Sequence, residues 1–154
     1  MYLGLPVLDR STAPRFRDRL SLLRDDSTPV WGSFAPGAML NHLRRALAAS
    51  AGVTQFADLS TWWYRTVTKR RYMLGLSPIP RSAIQLPMEF LDLKARRVEK
   101  ERSRFEIQLD AFLDARDRDP TVTHMHPYFG VLTMREWARW HYLHFDHHFR
   151  QFGL

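Results

Sequence analysis

Apolar positions recur at three- and four-residue spacing in several separate segments, which is the period of an amphipathic helix. Pro and Gly residues and polar capping side chains bound these segments. In the last one, Thr133 and Glu136 stand three residues apart, as in a capping box. The pattern predicts four main helices, over residues 11–26, 35–51, 88–114 and 132–153.

The segments between these helices carry different signals. Residues 59–74 are rich in aromatic and β-branched side chains but can form a fifth, shorter helical stretch that ends at Gly75. The segment SPIPRSAIQLP, residues 77–87, and the segment DRDPTVTHMHPYFG, residues 117–130, are predicted to be loops. We therefore expect an all-α fold: a single domain over residues 1–154 that forms a four-helix bundle with an additional short helical segment.

The amino-acid composition limits the possible metal ligands and nucleophiles more than it limits the fold. Because the chain has no cysteine, thiolate ligands, disulfides and a cysteine nucleophile are excluded, and His, Asp and Glu are left as metal ligands. No apolar run reaches the roughly 18 residues of a membrane span, and the first residues lack the features of a signal peptide. We expect a soluble cytoplasmic protein with no membrane partner.

The last predicted helix has one aromatic-rich face. At about 100° per residue, its histidines and large aromatic side chains cluster on one side, which we expect to face inward. Arg139, Asp146 and Arg150 fall on the opposite side, and Asp146 and Arg150 can form an i,i+4 ion pair. The predicted inward face consists of Trp137, Trp140, His141, His144, His148 and Gln151.

The spacing of His144 and His148 is compatible with a metal site, since side chains four residues apart on a helix are neighbours. His42, on an apolar face of small side chains in the second predicted helix, is the best-placed third ligand. Three histidines with an open position are typical of catalytic zinc sites. The alternative is that these are core histidines with other partners, or a solvated helix end.

Two sequence blocks resemble the DinB-like (DinB/YfiT-like) superfamily, and most closely one of its domain-of-unknown-function subfamilies. The blocks are WGSFAPGAMLNHL, residues 31–43, and HPYFGVLTMREW with HFDHHFRQFG, within residues 126–153. The resemblance implies a four-helix bundle in which His42, His144 and His148 bind a divalent ion, zinc or nickel, although such a site can also be empty. It assigns no ligand role to His147.

The chain departs from these relatives at residue 141, where they have an apolar side chain and this chain has His141. His141 could act as a fourth ligand or hydrogen-bond to a ligand, or it could be a core residue. His126 and Tyr128, from the HPYFG segment, could line the mouth of the site or simply pack the loop.

Three functions stay open at this point. The first, implied by the superfamily, is a metal-dependent enzyme acting on a small-molecule substrate, either a transferase on small-molecule thiols or a hydrolase. The second is a non-catalytic bundle with a structural or empty metal site, and a homodimer is compatible with either. The third and least favoured is nucleic-acid binding through WWYRTVTKRRY, residues 62–72.

Overall fold

The computed structural model describes residues 4–81 and 96–154. Helices make up most of this part of the chain, and a two-stranded antiparallel sheet precedes the last helix. A π-helical turn runs directly into the third α-helix. The elements are α1 (Ala13–Ser21), α2 (Pro36–Ser50), the π-helical turn (Tyr64–Thr68), α3 (Lys69–Met73), α4 (Val98–Arg118), β1 (Thr123–His126), β2 (Gly130–Thr133) and α5 (Met134–Gln151).

The predicted all-α four-helix bundle is wrong, because β1 and β2 form a hairpin where a loop was expected. Thr123 pairs with Thr133 and His126 pairs with Gly130, which leaves a three-residue turn. Gly130 has a φ of 72°, the left-handed geometry that such turns often need. The Pro and Gly of HPYFG are therefore turn residues of a hairpin, and the fold combines helices with a small sheet.

The predicted helix bounds hold to different degrees. α2 and α5 lie close to their predicted ranges, whereas α1 ends at Ser21 rather than at residue 26. The capping box at the start of α5 is confirmed: Thr133 Oγ1 accepts from the Glu136 amide at 3.2 Å, and Glu136 Oε2 accepts from the Thr133 amide at 3.0 Å. The predicted start of the fourth helix, at residue 88, lies outside the described residues, as does most of the loop 77–87.

Helix α5 is the centre of the core, since it packs against each of the four other α-helices and against β2. Phe145 and Phe149 of α5 are fully buried and meet Phe16 of α1 edge-on, with ring centroids 5.6 and 5.9 Å away. Phe105 of α4 packs on Phe145 at 5.2 Å. These aromatic contacts fix the rotation of α5 and hence the direction in which its histidines point.

The side of α5 that was expected to face solvent is covered at Arg139. This side chain is only 3% exposed, and its Nε and Nη1 donate to the carbonyl oxygens of Met73 and Pro6 at 3.0 and 2.7 Å. α3 and the segment before α1 pack there, which a helical wheel of α5 alone does not reveal. The predicted Asp146–Arg150 pair is confirmed at 2.9 Å.

None of the helices in the described ranges combines the length and the apolar character required to cross a membrane.

The aromatic core can be tested with two truncations on one helix. Phe105→Ala removes a side chain that is 1% exposed and packs on Phe145, so we expect it to lower the free energy of unfolding by about 3–5 kcal/mol. Ile107→Ala removes a side chain that is 71% exposed, and should change it by less than about 0.5 kcal/mol. Urea unfolding of both variants checks this, and equal losses would contradict the packing described for α4.

Candidate metal centre

Three histidines meet inside the protein, one from α2 and two from α5. The Nε2 atom of His144 lies 2.9 Å from Nε2 of His42 and 3.1 Å from Nε2 of His148. One ring nitrogen from each of the three lies within 4.8 Å of the other two. All three residues are buried, with exposures of 2, 7 and 7% for His42, His144 and His148. The convergence expected from the sequence is therefore present, and the three could hold a metal ion.

Hydrogen bonding alone does not account for this arrangement. Each imidazole nitrogen carries either one proton or one lone pair, directed in the ring plane. His144 Nε2 faces two other ring nitrogens and can form one well-directed hydrogen bond, not two. A cation at the shared point would instead accept a lone pair from each ring.

The distances also suit a metal ion. Zinc–nitrogen bonds of about 2.0–2.1 Å at tetrahedral angles put the ligand nitrogens about 3.3 Å apart. The observed contacts of 2.9 and 3.1 Å are within a few tenths of an ångström of that spacing. Small side-chain adjustments would therefore bring the three nitrogens to bonding geometry.

Burial favours the neutral form of His144 and His148, which is the form that binds metal. It lowers the pKa of both His144 and His148 well below the usual value, and neighbouring histidines lower the pKa further. Aromatic side chains hold the rings in place: Trp140 stacks on His144 at 5.2 Å, and Phe34 stacks on His42 at 5.5 Å. The three ring nitrogens thus lie together in an aromatic shell.

Gln151 orients one of the three rings. Its Nε2 donates to the carbonyl oxygen of Trp31 at 2.8 Å, which directs its Oε1 towards His148 Nδ1 at 2.9 Å. An amide oxygen accepts, so His148 carries its proton on Nδ1 and presents a lone pair on Nε2. This is the tautomer required for a ligand that coordinates through Nε2.

Gly32 makes this contact feasible. Its φ is 77°, and a Cβ atom added there would lie only 2.4 Å from the Gln151 Nε2 atom. The Trp-Gly pair at residues 31 and 32 therefore supplies both the carbonyl that holds Gln151 and the space that the amide occupies. Any larger residue at 32 would displace Gln151 and, through it, His148.

A cavity of about 550 Å³ opens onto the three histidines. The β-hairpin, the π-helical turn, α2 and α5 contribute to its wall, as do residues around Phe34 and Ile79. Such a volume is typical of small-molecule sites. The site therefore has both a candidate metal position and room for a second, organic ligand.

The other residues named from the sequence lie around the cluster in different ways. His126 and Tyr128 line the cavity, and His126 Nδ1 accepts from the backbone amides of Tyr128 and Phe129 at 3.2 and 3.1 Å. His141 points elsewhere: its Nε2 lies 2.9 Å from Ser50 Oγ. The structure does not place His141 with the three converging rings, so its role as a ligand finds no support in the geometry.

Sequence reasoning missed several residues of the site. Gln151 was placed on the inward face, but nothing in its spacing revealed the bond to Trp31. Phe34, Trp63 and Arg81 also line the cavity and come from segments whose approach to α5 depends on tertiary packing. The Trp-Gly pair at 31 and 32 was the one local signal that could have indicated a close backbone approach.

The chain belongs to a family of proteins of unknown function: residues 15–153 match the family described as "Protein of unknown function (DUF1569)". The match includes all three converging histidines and both sequence blocks. A search of curated proteins found no match. A search of solved structures found none either.

Two buried histidines near the site predict how stability depends on pH. Burial lowers the pKa of His126 and His141 from 6.5 to about 3, so both stay neutral in the folded protein while the unfolded chain binds protons. The free energy of unfolding should therefore be highest above about pH 6.5 and fall below it, by about 1.4 kcal/mol per pH unit for each buried histidine.

Urea unfolding of chelator-treated protein between about pH 7 and pH 5 measures this slope, above the range in which most carboxylates titrate. His141→Asn should reduce the slope by the contribution of one histidine. A flat profile over this range would contradict the neutral, buried state described for these rings.

Proposed function

We propose that the protein is a metal-dependent enzyme in which His42, His144 and His148 hold a divalent ion at the floor of the cavity. The observation that carries this proposal is the convergence of three buried Nε2 atoms: that of His144 lies 2.9 Å from His42 Nε2 and 3.1 Å from His148 Nε2. The all-nitrogen ligand set favours zinc or nickel over calcium or magnesium, which prefer oxygen.

An open coordination position favours catalysis over a purely structural role. Structural zinc sites usually have four protein ligands, whereas catalytic sites have three and leave one position for water or substrate. Among the described residues, the group that could hold a metal contains three histidines and no carboxylate. The adjoining cavity offers a route by which a small molecule could reach that position.

The chemistry of such a site is that of a Lewis acid, which lowers the pKa of a water or thiol bound at the open position. The residues of this chain have supporting tasks. Gln151 holds the proton of His148 on Nδ1. His126 can present an Nε2 proton, because its Nδ1 lone pair is already engaged by two backbone amides.

The resemblance to DinB-like proteins adds the reaction class. We infer that the chain is a divergent DinB-like metalloenzyme that acts on a small-molecule substrate, as a transferase on small-molecule thiols or as a hydrolase. Its organisation as one domain, a cytoplasmic location and a homodimeric state stay predictions. The non-catalytic alternative, with a structural or empty site, makes the opposite prediction for the activity experiment below.

The nucleic-acid alternative draws little support from residues 62–72. Two of the cations in this stretch have acidic partners: Arg65 pairs with Asp58 at 2.6 Å and Lys69 pairs with Glu136 at 2.7 Å. Tyr72 is 9% exposed and cannot stack on a base without rearrangement. Of the exposed aromatic side chains in this stretch, Trp63 and Tyr64 line the cavity, and Trp62 lies beside Trp63.

The metal proposal predicts stoichiometric binding that depends on the three histidines. Protein purified without chelators and analysed by plasma mass spectrometry should contain one equivalent of zinc or nickel per chain. His144→Ala, which leaves two of the three nitrogens, should lose it, whereas His124→Ala, on β1 outside the cluster, should retain it. Wild-type protein that takes up neither metal would contradict the proposal.

Activity can be tested with the same proteins. Metal-loaded wild type is incubated with low-molecular-weight thiols and an electrophilic acceptor, and separately with activated esters and amides. We expect turnover in one of the two assays that His144→Ala and a chelator both abolish. A metal-loaded protein that is inactive in both would support the non-catalytic alternative.

The Gln151 contact predicts a change in metal affinity rather than in fold. Gln151→Leu removes the acceptor for the His148 Nδ1 proton and should weaken metal binding by about 10–100-fold, as measured by competition with a chromogenic chelator. Gln108→Leu makes the same replacement on α4, away from the cluster, and should leave the affinity unchanged. Equal affinities for the two variants would show that Gln151 does not position His148.

A further inference from the structure

The charge on the cavity wall is unusually one-sided. Of the described residues that line it, Arg81 is the only one that carries a formal charge at neutral pH, and no carboxylate is among them. The rest of the wall is predominantly aromatic and aliphatic. A ligand entering this cavity therefore meets one charged side chain, Arg81, and an otherwise largely apolar wall.

Arg81 is held at the rim by an aromatic ring. Its guanidinium carbon lies 4.4 Å from the centre of the Trp31 ring, a cation–π contact that restricts the long side chain. A guanidinium that contacts a ring through its face can still donate hydrogen bonds from the N–H groups along its edge. Within residues 4–81 and 96–154, no Asp or Glu forms an ion pair with Arg81.

A short series of ring contacts connects this cation to the metal centre. The ring of Trp31, which contacts Arg81, has its centroid 5.9 Å from that of His147. The His147 centroid in turn lies 5.1 Å from that of His148. Arg81 and the candidate ligands thus belong to the same cavity, with Trp31 and His147 between them. An anionic group on Arg81 would leave the remainder of a small ligand over the three histidines.

Aromatic side chains stand at the mouth of the cavity without being buried. Trp63 lines the cavity yet is 58% exposed, and Tyr64, the first residue of the π-helical turn, is 37% exposed. π-Helical turns are frequent at functional sites. Exposed rings at a cavity mouth are suited to cover the apolar part of a bound molecule.

We propose that the cavity binds a small organic acid, with its carboxylate on Arg81 and an aromatic or similarly apolar body between Trp63 and the inner aromatic wall. A carboxylate fits the planar edge of a guanidinium in a bidentate manner, and its single negative charge matches a single cation. The inference deepens the proposed function, because it gives the substrate class for the same site.

The test compares three ligands of one shape and different charge: 3-phenylpropanoate, 3-phenylpropanol and 3-phenylpropylamine. Binding to the protein as purified is measured by calorimetry and ligand-observed NMR. We expect the acid to bind about tenfold more tightly than the alcohol, a factor appropriate to one charge-assisted, partly exposed pair, and the amine to bind most weakly. An alcohol or amine that binds as well as the acid would overturn the proposal.

Arg81→Met removes the cation, and we expect it to abolish the preference for the acid while leaving the affinity for the alcohol unchanged. Arg70→Met is the matched control, since Arg70 is also exposed but does not line the cavity, and it should retain the full preference. Loss of the preference in both variants would show that overall charge, and not Arg81, selects the ligand, and would overturn the proposal. If Arg81→Met kept the preference for the acid, that result would also overturn the proposal.

A second variant and its matched control test the position of the ligand's aromatic part. Trp63→Ala should weaken the binding of the acid and of the alcohol by the same factor. Trp62→Ala should leave both affinities unchanged, because Trp62 is exposed but does not line the cavity. Equal effects of the two substitutions would contradict the assigned position of the apolar body.

The same titrations on chelator-treated protein separate this inference from the metal proposal. A preference for the acid that persists there, and that still depends on Arg81, supports the inference even if the protein holds no metal. A preference that disappears with the chelator and ignores Arg81→Met would assign the carboxylate to the metal ion, and would overturn the inference while supporting the proposed function.

Discussion

Keeping several imidazoles neutral in a water-poor interior is the constraint on which the rest of the structure depends. A buried ring must stay unprotonated and needs a partner for its lone pair or proton. Ser50 is the hydrogen-bond partner of His141, two backbone amides donate to His126, and Gln151 accepts from His148. Three Nε2 atoms are instead turned towards one another, and a cation is the partner that would satisfy all of them together.

Sequence periodicity was sufficient for the parts of the site that lie on regular helices. The wheel of α5 placed His144 and His148 on one inward face because the α-helical period is the same in isolation and in the fold. His42 followed from the apolar face of α2. The capping box at Thr133 was equally local, since it involves only residues three positions apart.

The errors arose where tertiary contacts decide. Pro127 and Gly130 signal a break in a helix, and only the pairing of Thr123 with Thr133 shows that the break is the turn of a hairpin. The wheel places Arg139 opposite the inward face of α5, but it cannot show that Met73 and Pro6 cover this side chain. The roles of Gln151 and Arg81 likewise depend on Trp31, which is more than 40 residues away from either of them along the chain.

The junction between β2 and α5 ties the hairpin to the helix that carries two of the converging histidines. Thr133 ends the strand and caps the helix, and Met134 begins α5, so no linker separates the hairpin from the helix that carries His144 and His148. The hairpin that bears His126 is thus directly continuous with the ligand-bearing helix. On its other side, Tyr128 of the hairpin turn packs on Tyr64 of the π-helical turn with ring centroids 5.6 Å apart, so a shift of the hairpin would reach both the exposed rings of that turn and the helix that holds two of the three histidines.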